Sequence, residues 1–225
     1  MSRPPRTVEA VLFDLDGVLV DSEPVWSIAE REVIEWLGGT WGPEVKAALV
    51  GNALDEASRL LLEFAGADRP VGEVAERLSR RIAELFEADG GLTVPPGAAE
   101  LLAALRAASV PLALVSSSSR RLVEAALRLL GREHFQVPIA GDEVTERKPL
   151  PAPYLAAAER LGVDPSRCVA VEDSPTGVQA AEAAGCVVVA VPDHRLVTIP
   201  PGPRRHVVRS LAAVDPAWLL SLATP

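Results

Sequence analysis

The sequence predicts an α/β protein in which a doubly wound parallel sheet forms the core and a helical segment is inserted after the first strand. Short apolar runs alternate with helical patterns from residue 98 onward, which is the element order of a parallel sheet covered by helices on both faces. A further apolar run at residues 10–13 has the length of a buried strand. Residues 24–88 contain helical patterns without a convincing strand.

Four helices are predicted in the inserted segment. The first begins at Pro24, because proline is favoured at the first helical position, and ends at the glycine pair 38–39. Apolar residues at helical spacing predict the other three. The four predicted ranges are 24–37, 43–50, 54–65 and 71–87. A stretch rich in glycine and proline at 89–97 closes the segment. We therefore predict an α/β core at 1–20 and 91–225 and a helical domain at 21–90.

The remaining elements alternate along the chain. Apolar runs flanked by glycine, proline or serine predict strands at 111–115, 136–140, 167–171, 186–191 and 206–208. Helical spacing between them predicts helices at 98–108, 120–130, 151–161 and 175–184, followed by a terminal helix. Ligands of such sheets bind beyond the carboxyl ends of the strands, so the residues that follow each strand are the candidates for function.

Composition excludes several classes of protein. The chain has 225 residues, of which 48% are hydrophobic and 24% charged, as in an ordinary globular protein. A net charge of −9 argues against binding to nucleic acid, which needs a basic surface. The longest nearly apolar run, 183–191, is too short to span a membrane. The first apolar run is interrupted by Asp14, so it does not resemble the apolar segment of a signal peptide. We expect a cytoplasmic protein, with Cys168 and Cys186 as buried thiols of a reduced core.

Two aspartates, Asp14 and Asp16, follow the first predicted strand. Residues two apart in an extended chain point the same way, so these carboxylates start on one side of the strand end. Close carboxylates repel each other unless a cation or a proton offsets their charge, which suits Mg²⁺. One of them can also attack a substrate while its neighbour transfers a proton. The alternative is a strand that runs into an acidic turn.

Three more polar groups follow later strands. Ser116 to Ser119 precede a predicted helix, where hydroxyls and backbone amides bind phosphate or simply cap the helix. Lys148 is one of only two lysines beside 20 arginines, and at a helix start its charge opposes the helix dipole. It is either an anion-binding residue or a solvated loop lysine. Glu172 and Asp173 again place two acids where a strand meets a helix. All four groups share one sheet edge, which favours a catalytic site.

These segments resemble the haloacid dehalogenase-like hydrolases. The resemblance is carried by Asp14-Leu15-Asp16-Gly17-Val18-Leu19-Val20-Asp21-Ser22-Glu23-Pro24, by Ser116 after its strand, by Lys148-Pro149 and by Glu172-Asp173-Ser174. It is most similar to the β-phosphoglucomutase-like subfamily, which carries a helical cap between the first strand and the rest of a Rossmann-like core. The motifs occur in the family's order and span nearly the whole chain.

The resemblance implies a role for each of these residues. Asp14 matches the nucleophile that forms an aspartyl-phosphate, and Asp16 matches the general acid/base. Ser116 and Lys148 match the residues that bind phosphate and stabilise its charge, with Ser117 as a further contact. The implied Mg²⁺ ligands are Asp14, the backbone carbonyl of Asp16 and Asp173, with Glu172 supporting the metal shell.

The implied activity is that of a Mg²⁺-dependent phosphatase acting on a small phosphorylated metabolite, for which we expect a sugar phosphate. A phosphomutase of the same subfamily is the main alternative, and a catalytically silent binding protein is a remote one. Two other activities of the family are less consistent with these residues. The dehalogenases of the family lack an acid at the position of Asp16, which argues against that activity. A phosphonate hydrolase would need a cap lysine, for which Lys46 is the one candidate, and its helix carries no matching signature. Proteins of this type are often monomers, which is the state expected here.

The helical segment is expected to decide between phosphatase and mutase. Mutases of the subfamily carry a cap histidine and an arginine that holds the distal phosphate, whereas the corresponding positions here are Trp26 and Leu54. No histidine occurs between residues 21 and 90, and helical spacing places Arg59 on a solvated face. Net hydrolysis is therefore expected. The residues predicted to face the substrate from the linker and cap are Asp21, Ser22, Glu23, Trp26 and Asn52, although Trp26 also suits the apolar core of the cap.

Overall fold

A computed structural model describes residues 8–49, 52, 54–88, 90–192 and 197–222. This part of the chain forms one parallel sheet of six strands, whose order across the sheet is β3-β2-β1-β4-β5-β6. The strands are β1 (Ala10–Phe13), β2 (Leu112–Val115), β3 (Val137–Ile139), β4 (Cys168–Glu172), β5 (Val187–Ala190) and β6 (Arg205–Val207). The order is that of a doubly wound, Rossmann-like sheet, as the sequence predicts.

The first strand lies in the middle of the sheet. Its last residue, Phe13, is aligned with Leu114 of β2 on one side and with Val171 of β4 on the other. The polar residues that follow these three strands therefore meet at one edge. Strands β2 and β3 extend the sheet on one side of β1, and β4, β5 and β6 extend it on the other side. Such sheets bind ligands at the point where the order of strands changes direction in this way.

Nine α-helices occur in the described residues. Eight of them begin and end within one residue of a predicted range, and the ninth is the predicted terminal helix. The four between β1 and β2 are α1 (Glu23–Trp36), α2 (Pro43–Leu49), α3 (Leu54–Ala65) and α4 (Val71–Glu87). The others are α5 (Ala98–Ala107), α6 (Arg120–Leu130), α7 (Ala152–Leu161), α8 (Pro175–Ala183) and α9 (Pro216–Ser221). Position 50, where the second predicted helix ends, lies outside the described residues.

Apolar cores lie on both faces of the sheet. Successive residues of a strand point to opposite faces, so Val11 and Phe13 pack into one core while Ala10 and Leu12 pack into the other. All four are fully buried, and burial of a side chain such as that of Phe13 stabilises the fold by about 1.5–3 kcal/mol. This burial on both faces explains why the strand is a continuous apolar run.

The helices between β1 and β2 pack on one another through amphipathic faces. Along α4, Val74, Leu78, Ile82 and Phe86 are buried at helical spacing. The two chain segments that lead into and out of these helices lie side by side, because the backbone N–H of Asp21 donates to the carbonyl oxygen of Thr93 at 2.8 Å. The first helix therefore starts close to the edge of the sheet where β1 ends.

Other predictions from composition concern the cysteines and membrane segments. Cys168 and Cys186 are buried free thiols, as predicted. No helix in the described ranges has the length and apolar character needed to cross a membrane.

Candidate active site

The ammonium group of Lys148 is the centre of the polar cluster at the sheet edge. Its Nζ lies 2.6 Å from Asp14 Oδ1, 2.6 Å from Glu172 Oε1 and 2.9 Å from the carbonyl oxygen of Val115. These contacts use all three N–H donors, and the side chain is only 5% exposed. Burial lowers the pKa of Lys148, but Asp14 and Glu172 outweigh it and raise the pKa above its ordinary value. Lys148 is therefore a buried cation and not a solvated loop lysine.

Asp14 follows β1 directly and is buried. Its backbone N–H donates to Val171 of β4, which continues the ladder and fixes the residue at the strand end. Burial is the largest cause that raises the pKa of Asp14, and the nearby charges of Glu172, Asp173 and Asp16 raise it further. Lys148 opposes this shift. The carboxylate lies where a negative charge is costly without a second cation.

Asp173 shows the same excess of negative charge. Burial, followed by the charge of Glu172, raises its pKa to about 8. Oxygen atoms of Asp14, Glu172 and Asp173 lie within 4.8 Å of one another. Three acids thus lie close together, and two of them, Asp14 and Glu172, contact the one ammonium group of Lys148. Carboxylate oxygens are the ligands that Mg²⁺ prefers, so the donor chemistry and the uncompensated charge both fit a divalent cation.

Asp16 is held by hydroxyl groups. Ser22 Oγ donates to its Oδ1 at 2.7 Å, and Ser118 Oγ donates to its Oδ2 at 2.9 Å. Ser116 Oγ approaches the same Oδ2 at 3.4 Å. The acidic triplet consists of Asp14, Glu172 and Asp173, and the metal contact through the backbone carbonyl of Asp16 stays a prediction. A carboxylate fixed in this way is suited to transfer a proton.

The serines after β2 differ in what they contact. Ser116 is buried and its Oγ accepts a hydrogen bond from the backbone N–H of Ser118 at 2.9 Å. Ser117 is exposed, so its phosphate contact stays a prediction. Sequence reasoning missed Ser118, whose hydroxyl makes a shorter contact with Asp16 Oδ2 than that of Ser116. The serine run was the signal, but only the fold of the loop shows which hydroxyl points inward.

Sequence reasoning also missed Tyr154, the one tyrosine of the chain. It is fully buried in α7, and its hydroxyl donates to Glu172 Oε1 at 2.5 Å. Its ring centre lies 5.1 Å from Lys148 Nζ. Glu172 is itself 0% exposed. Tyr154 and Lys148 share one oxygen of Glu172, whereas the other oxygen accepts only a 3.3 Å bond from Ser174 among the described contacts.

Two glycines leave room for the acidic groups. Gly17 has a φ of +78°, which favours glycine, and a Cβ atom there would overlap the carboxylate of Asp173. A Cβ atom on Gly177 of α8 would overlap the carboxylate of Glu172. Asp173 therefore packs directly against the backbone of Gly17, and Glu172 packs directly against the backbone of Gly177.

The predicted substrate residues lie in different surroundings. Ser22 is buried against Asp16, whereas Asp21 is exposed. Glu23 pairs with Lys46 at 3.3 Å. Trp26 is partly buried and packs against the apolar core, as the structural alternative predicted. The side-chain amide of Asn52 donates to the carbonyl oxygen of Ala48 at 2.6 Å. Of these five residues, Ser22 is the one whose side chain, in the described part of the chain, contacts a residue at the strand ends.

A further residue, Glu30 of α1, escaped the sequence analysis. It is only 6% exposed, although it carries a carboxyl group. Burial, followed by the charge of Glu23, raises its pKa to about 8, and Lys46 opposes the shift. The available signal was its position four residues after Trp26 and four before Ile34, which places a charge in an apolar stripe.

Comparison with known proteins gives a consistent result. The family described as haloacid dehalogenase-like hydrolase matches residues 8–185. Hexitol phosphatase A of Escherichia coli is 37% identical over 182 residues, which are 80% of this chain and 81% of that protein. The crystal structure of CbbY from Rhodobacter sphaeroides in complex with phosphate has a TM-score of 0.80 and 32% identity, covering 92% of this chain and 96% of that one. A β-phosphoglucomutase from Clostridium difficile shares the fold, with a TM-score of 0.79 and 23% identity over 96% of both chains.

Proposed function

The chain belongs to the haloacid dehalogenase-like hydrolases. On this premise we propose a Mg²⁺-dependent phosphatase of the β-phosphoglucomutase-like subfamily that acts through an aspartyl-phosphate. The observation that carries the proposal is the contact of Asp14 with the buried ammonium of Lys148, beside Asp16 and the acidic pair 172–173. We propose a sugar phosphate or a related polyol phosphate as substrate, which the similarity to a hexitol phosphatase supports.

The proposed reaction uses two carboxylates in turn. Asp14 attacks the phosphorus atom, and the ester oxygen leaves with a proton that Asp16 supplies. Water then hydrolyses the aspartyl-phosphate while Asp16 accepts its proton. The hydroxyls of Ser22 and Ser118 hold Asp16 in place for both transfers. Ser116 and Lys148 are the proposed phosphate-binding residues, with the exposed Ser117 as an additional one.

The charges of the site support a divalent cation as part of the proposed mechanism. Asp14, Glu172 and Asp173 would hold it, together with the backbone carbonyl of Asp16. Without a cation, a phosphate dianion would enter a site where three clustered acids lie beside one ammonium, and such a charge is costly to bury. When bound, Mg²⁺ supplies positive charge for the phosphoryl oxygens.

Hydrolysis is favoured over phosphate transfer between two positions of a sugar. A mutase must bind a second phosphate, which needs basic partners in the helical segment. Arg59 has a side chain that is 59% exposed and pairs with Glu56 at 2.7 Å, as the sequence predicted for a solvated face. Lys46 is paired with Glu23. These pairings support a phosphatase.

We further propose that residues 21–90 form a cap over a core made of residues 1–20 and 91–225. The adjacent linkers at Asp21 and Thr93 and the hydrogen bond from Ser22 to Asp16 support this division. The proposed partner is a small phosphorylated metabolite. A monomeric, cytoplasmic protein that binds neither nucleic acid nor membranes remains the prediction from the sequence.

Phosphate release from p-nitrophenyl phosphate tests the proposed activity. We expect removal of metal with EDTA to lower the rate at least about 100-fold, because the charge on the phosphoryl oxygens is then uncompensated, and added Mg²⁺ to restore it. β-Glucose 1-phosphate supplied with a bisphosphate primer tests the mutase alternative. Glucose 6-phosphate that appears faster than free phosphate would identify a mutase, and no metal-dependent phosphate release would indicate a binding protein.

Replacement of Tyr154 by phenylalanine tests the support of Glu172. The variant keeps the ring beside Lys148 and removes the 2.5 Å hydrogen bond. We expect the Mg²⁺ concentration for half-maximal activity to rise about tenfold, since residues that orient metal ligands typically contribute 10–100-fold in affinity. Leu155→Ala, at the exposed neighbouring position, is the control. An unchanged Mg²⁺ dependence in Tyr154→Phe would contradict a positioning role.

A further inference from the structure

A set of contacts that the proposed mechanism does not use joins the loop after β3 to the loop after β2. We call residues 140–143 the β3 loop. The backbone N–H of Gly141 donates to the carbonyl oxygen of Ser118 at 2.8 Å. The side chain of Asp142 accepts a hydrogen bond from the backbone N–H of Arg120 at 2.9 Å. The β3 loop therefore holds the segment between β2 and α6, which carries the serines of the site.

Asp142 caps helix α6 from a different part of the chain. The first N–H groups of a helix have no partner within the helix, and a side chain at the N-cap usually supplies one. Ser119 occupies the N-cap position of α6, but its hydroxyl makes no capping bond and has no partner in the described part of the chain. The first turn has no acidic residue of its own. The carboxylate of Asp142 supplies both the acceptor and the negative charge that a helix start favours.

Glu143 ties the β3 loop to the start of α6 a second time. Its Oε2 accepts the backbone N–H of Ala140 at 3.1 Å, and its Oε1 accepts a hydrogen bond from the Arg120 side chain at 3.1 Å. Arg120 also donates to the carbonyl oxygen of Pro138 at 3.0 Å. Burial alone would raise the pKa of Glu143, but the hydrogen bonds from Arg120 and Ala140 lower it below its ordinary value. Glu143 is therefore ionised at neutral pH, as its ion pair with Arg120 requires.

The β3 loop also packs closely against the serine segment. A Cβ atom on Gly141 would lie 2.1 Å from the carbonyl oxygen of Ser117, so a larger residue would have to shift the backbone. Ser118 has contacts on two sides, because its carbonyl oxygen accepts from Gly141 and its hydroxyl donates to Asp16 Oδ2 at 2.9 Å. A single residue thus connects the β3 loop with the carboxylate that transfers protons in the proposed mechanism.

We propose that Gly141 and Asp142 are positioning residues of the phosphatase, which act on Asp16 through Ser118. By fixing the backbone of Ser118 they direct its hydroxyl to Asp16 Oδ2, while Ser22 holds the other oxygen. A displacement of about 1 Å in a reacting group can cost about 100-fold in rate. The inference rests on the proposed phosphatase function and adds two residues that touch no reacting group themselves.

The test compares two aryl phosphates that differ in their leaving group. Phenolate is much more basic than p-nitrophenolate, so hydrolysis of phenyl phosphate depends more on a proton from Asp16 than hydrolysis of p-nitrophenyl phosphate does. The ratio of kcat/KM for phenyl phosphate to that for p-nitrophenyl phosphate therefore reports the placement of the acid. A variant that merely folds less well loses both activities equally and keeps this ratio.

Asp142→Ala is expected to lower the ratio about tenfold, which is a fraction of the roughly 100- to 10,000-fold contribution of a general acid. Gly141→Ala should lower it further, because its methyl group displaces Ser117. Asp142→Asn should keep the ratio, since its amide oxygen still accepts from Arg120. Glu124→Gln is the matched control, because Glu124 pairs with Arg120 at 3.3 Å from within α6, and no contact among the described residues joins it to the β3 loop.

A double variant shows whether Ser118 transmits the effect. Ser118→Ala should lower the ratio by itself, and the addition of Asp142→Ala should lower it no further, because the hydroxyl contact is already lost. Equal losses for both substrates in Asp142→Ala would overturn the inference and leave the phosphatase proposal intact. An undiminished effect of Asp142→Ala in the Ser118→Ala protein would do the same.

Folding of each variant is checked by circular dichroism, and the two Asp142 variants decide the test if Gly141→Ala fails to fold. A ratio lowered as far in Asp142→Asn as in Asp142→Ala would contradict a role through the hydrogen bond to Arg120. Failure of the wild-type protein to release phosphate from either ester would instead refute the phosphatase itself.

Discussion

Asp14→Asn is expected to abolish phosphate release, lowering kcat at least about 1,000-fold, because an amide cannot form the acyl phosphate. The fold should remain intact. The amide oxygen can still accept the hydrogen bond from Lys148, and the change removes one of several mutually repelling buried charges. Stability without metal should therefore be unchanged or higher than that of the wild-type protein.

The measurement is phosphate release under single- and multiple-turnover conditions, with thermal unfolding recorded in EDTA. Asp68→Asn serves as the control, because Asp68 is exposed in the turn between α3 and α4. Retention of more than a few per cent of wild-type activity in a freshly purified sample would rule out Asp14 as the nucleophile.

Lys148→Met is expected to have the largest effect on stability. It leaves Asp14 Oδ1 and Glu172 Oε1 without their shared cation in a buried site. Removal of one partner from a buried ion pair costs about 3–5 kcal/mol. Activity should fall at least about 100-fold as well, since the variant lacks the protein's own positive charge next to the phosphate site.

Urea unfolding in EDTA measures the expected loss of stability. Arg59→Met is the matched control, because its ion pair with Glu56 is exposed and such pairs contribute about 0–1 kcal/mol. Addition of Mg²⁺ should stabilise the Lys148→Met protein, because a cation that binds only the folded state shifts the equilibrium toward it. A loss of less than about 1 kcal/mol in the variant would contradict the buried-cation interpretation.

The residues at the strand ends could be predicted because the topology leaves little choice. Parallel strands end at one edge, so Asp14, Ser116 and Glu172 had to meet once the alternation of strands and helices was recognised. Helix ranges were predictable for a similar reason, since apolar spacing and glycine or proline at the ends determine them. The resemblance to a known family added the roles of these residues.

The contacts made by Ser118 and Tyr154, and the burial of Glu30, could not be predicted in this way. Which serine of the run reaches Asp16 depends on the path of the loop after β2, which has no periodicity. Tyr154 lies on the buried face of α7 like any core residue, and its hydroxyl matters only because Glu172 lies opposite. Glu30 resembles a surface glutamate until the packing of the helices shows that it is buried.

The close packing of Gly17 against Asp173, and of Gly177 against Glu172, has a consequence for mutational surveys of this chain. A screen for loss of activity would score both glycines as severely as the acids, although neither has a functional group to contribute. Intolerance at these positions would reflect the lack of space for a side chain and not a catalytic role. A map of sensitive residues would therefore include positions that take no part in the chemistry. Libraries for altered specificity should therefore keep both glycines fixed and vary α1.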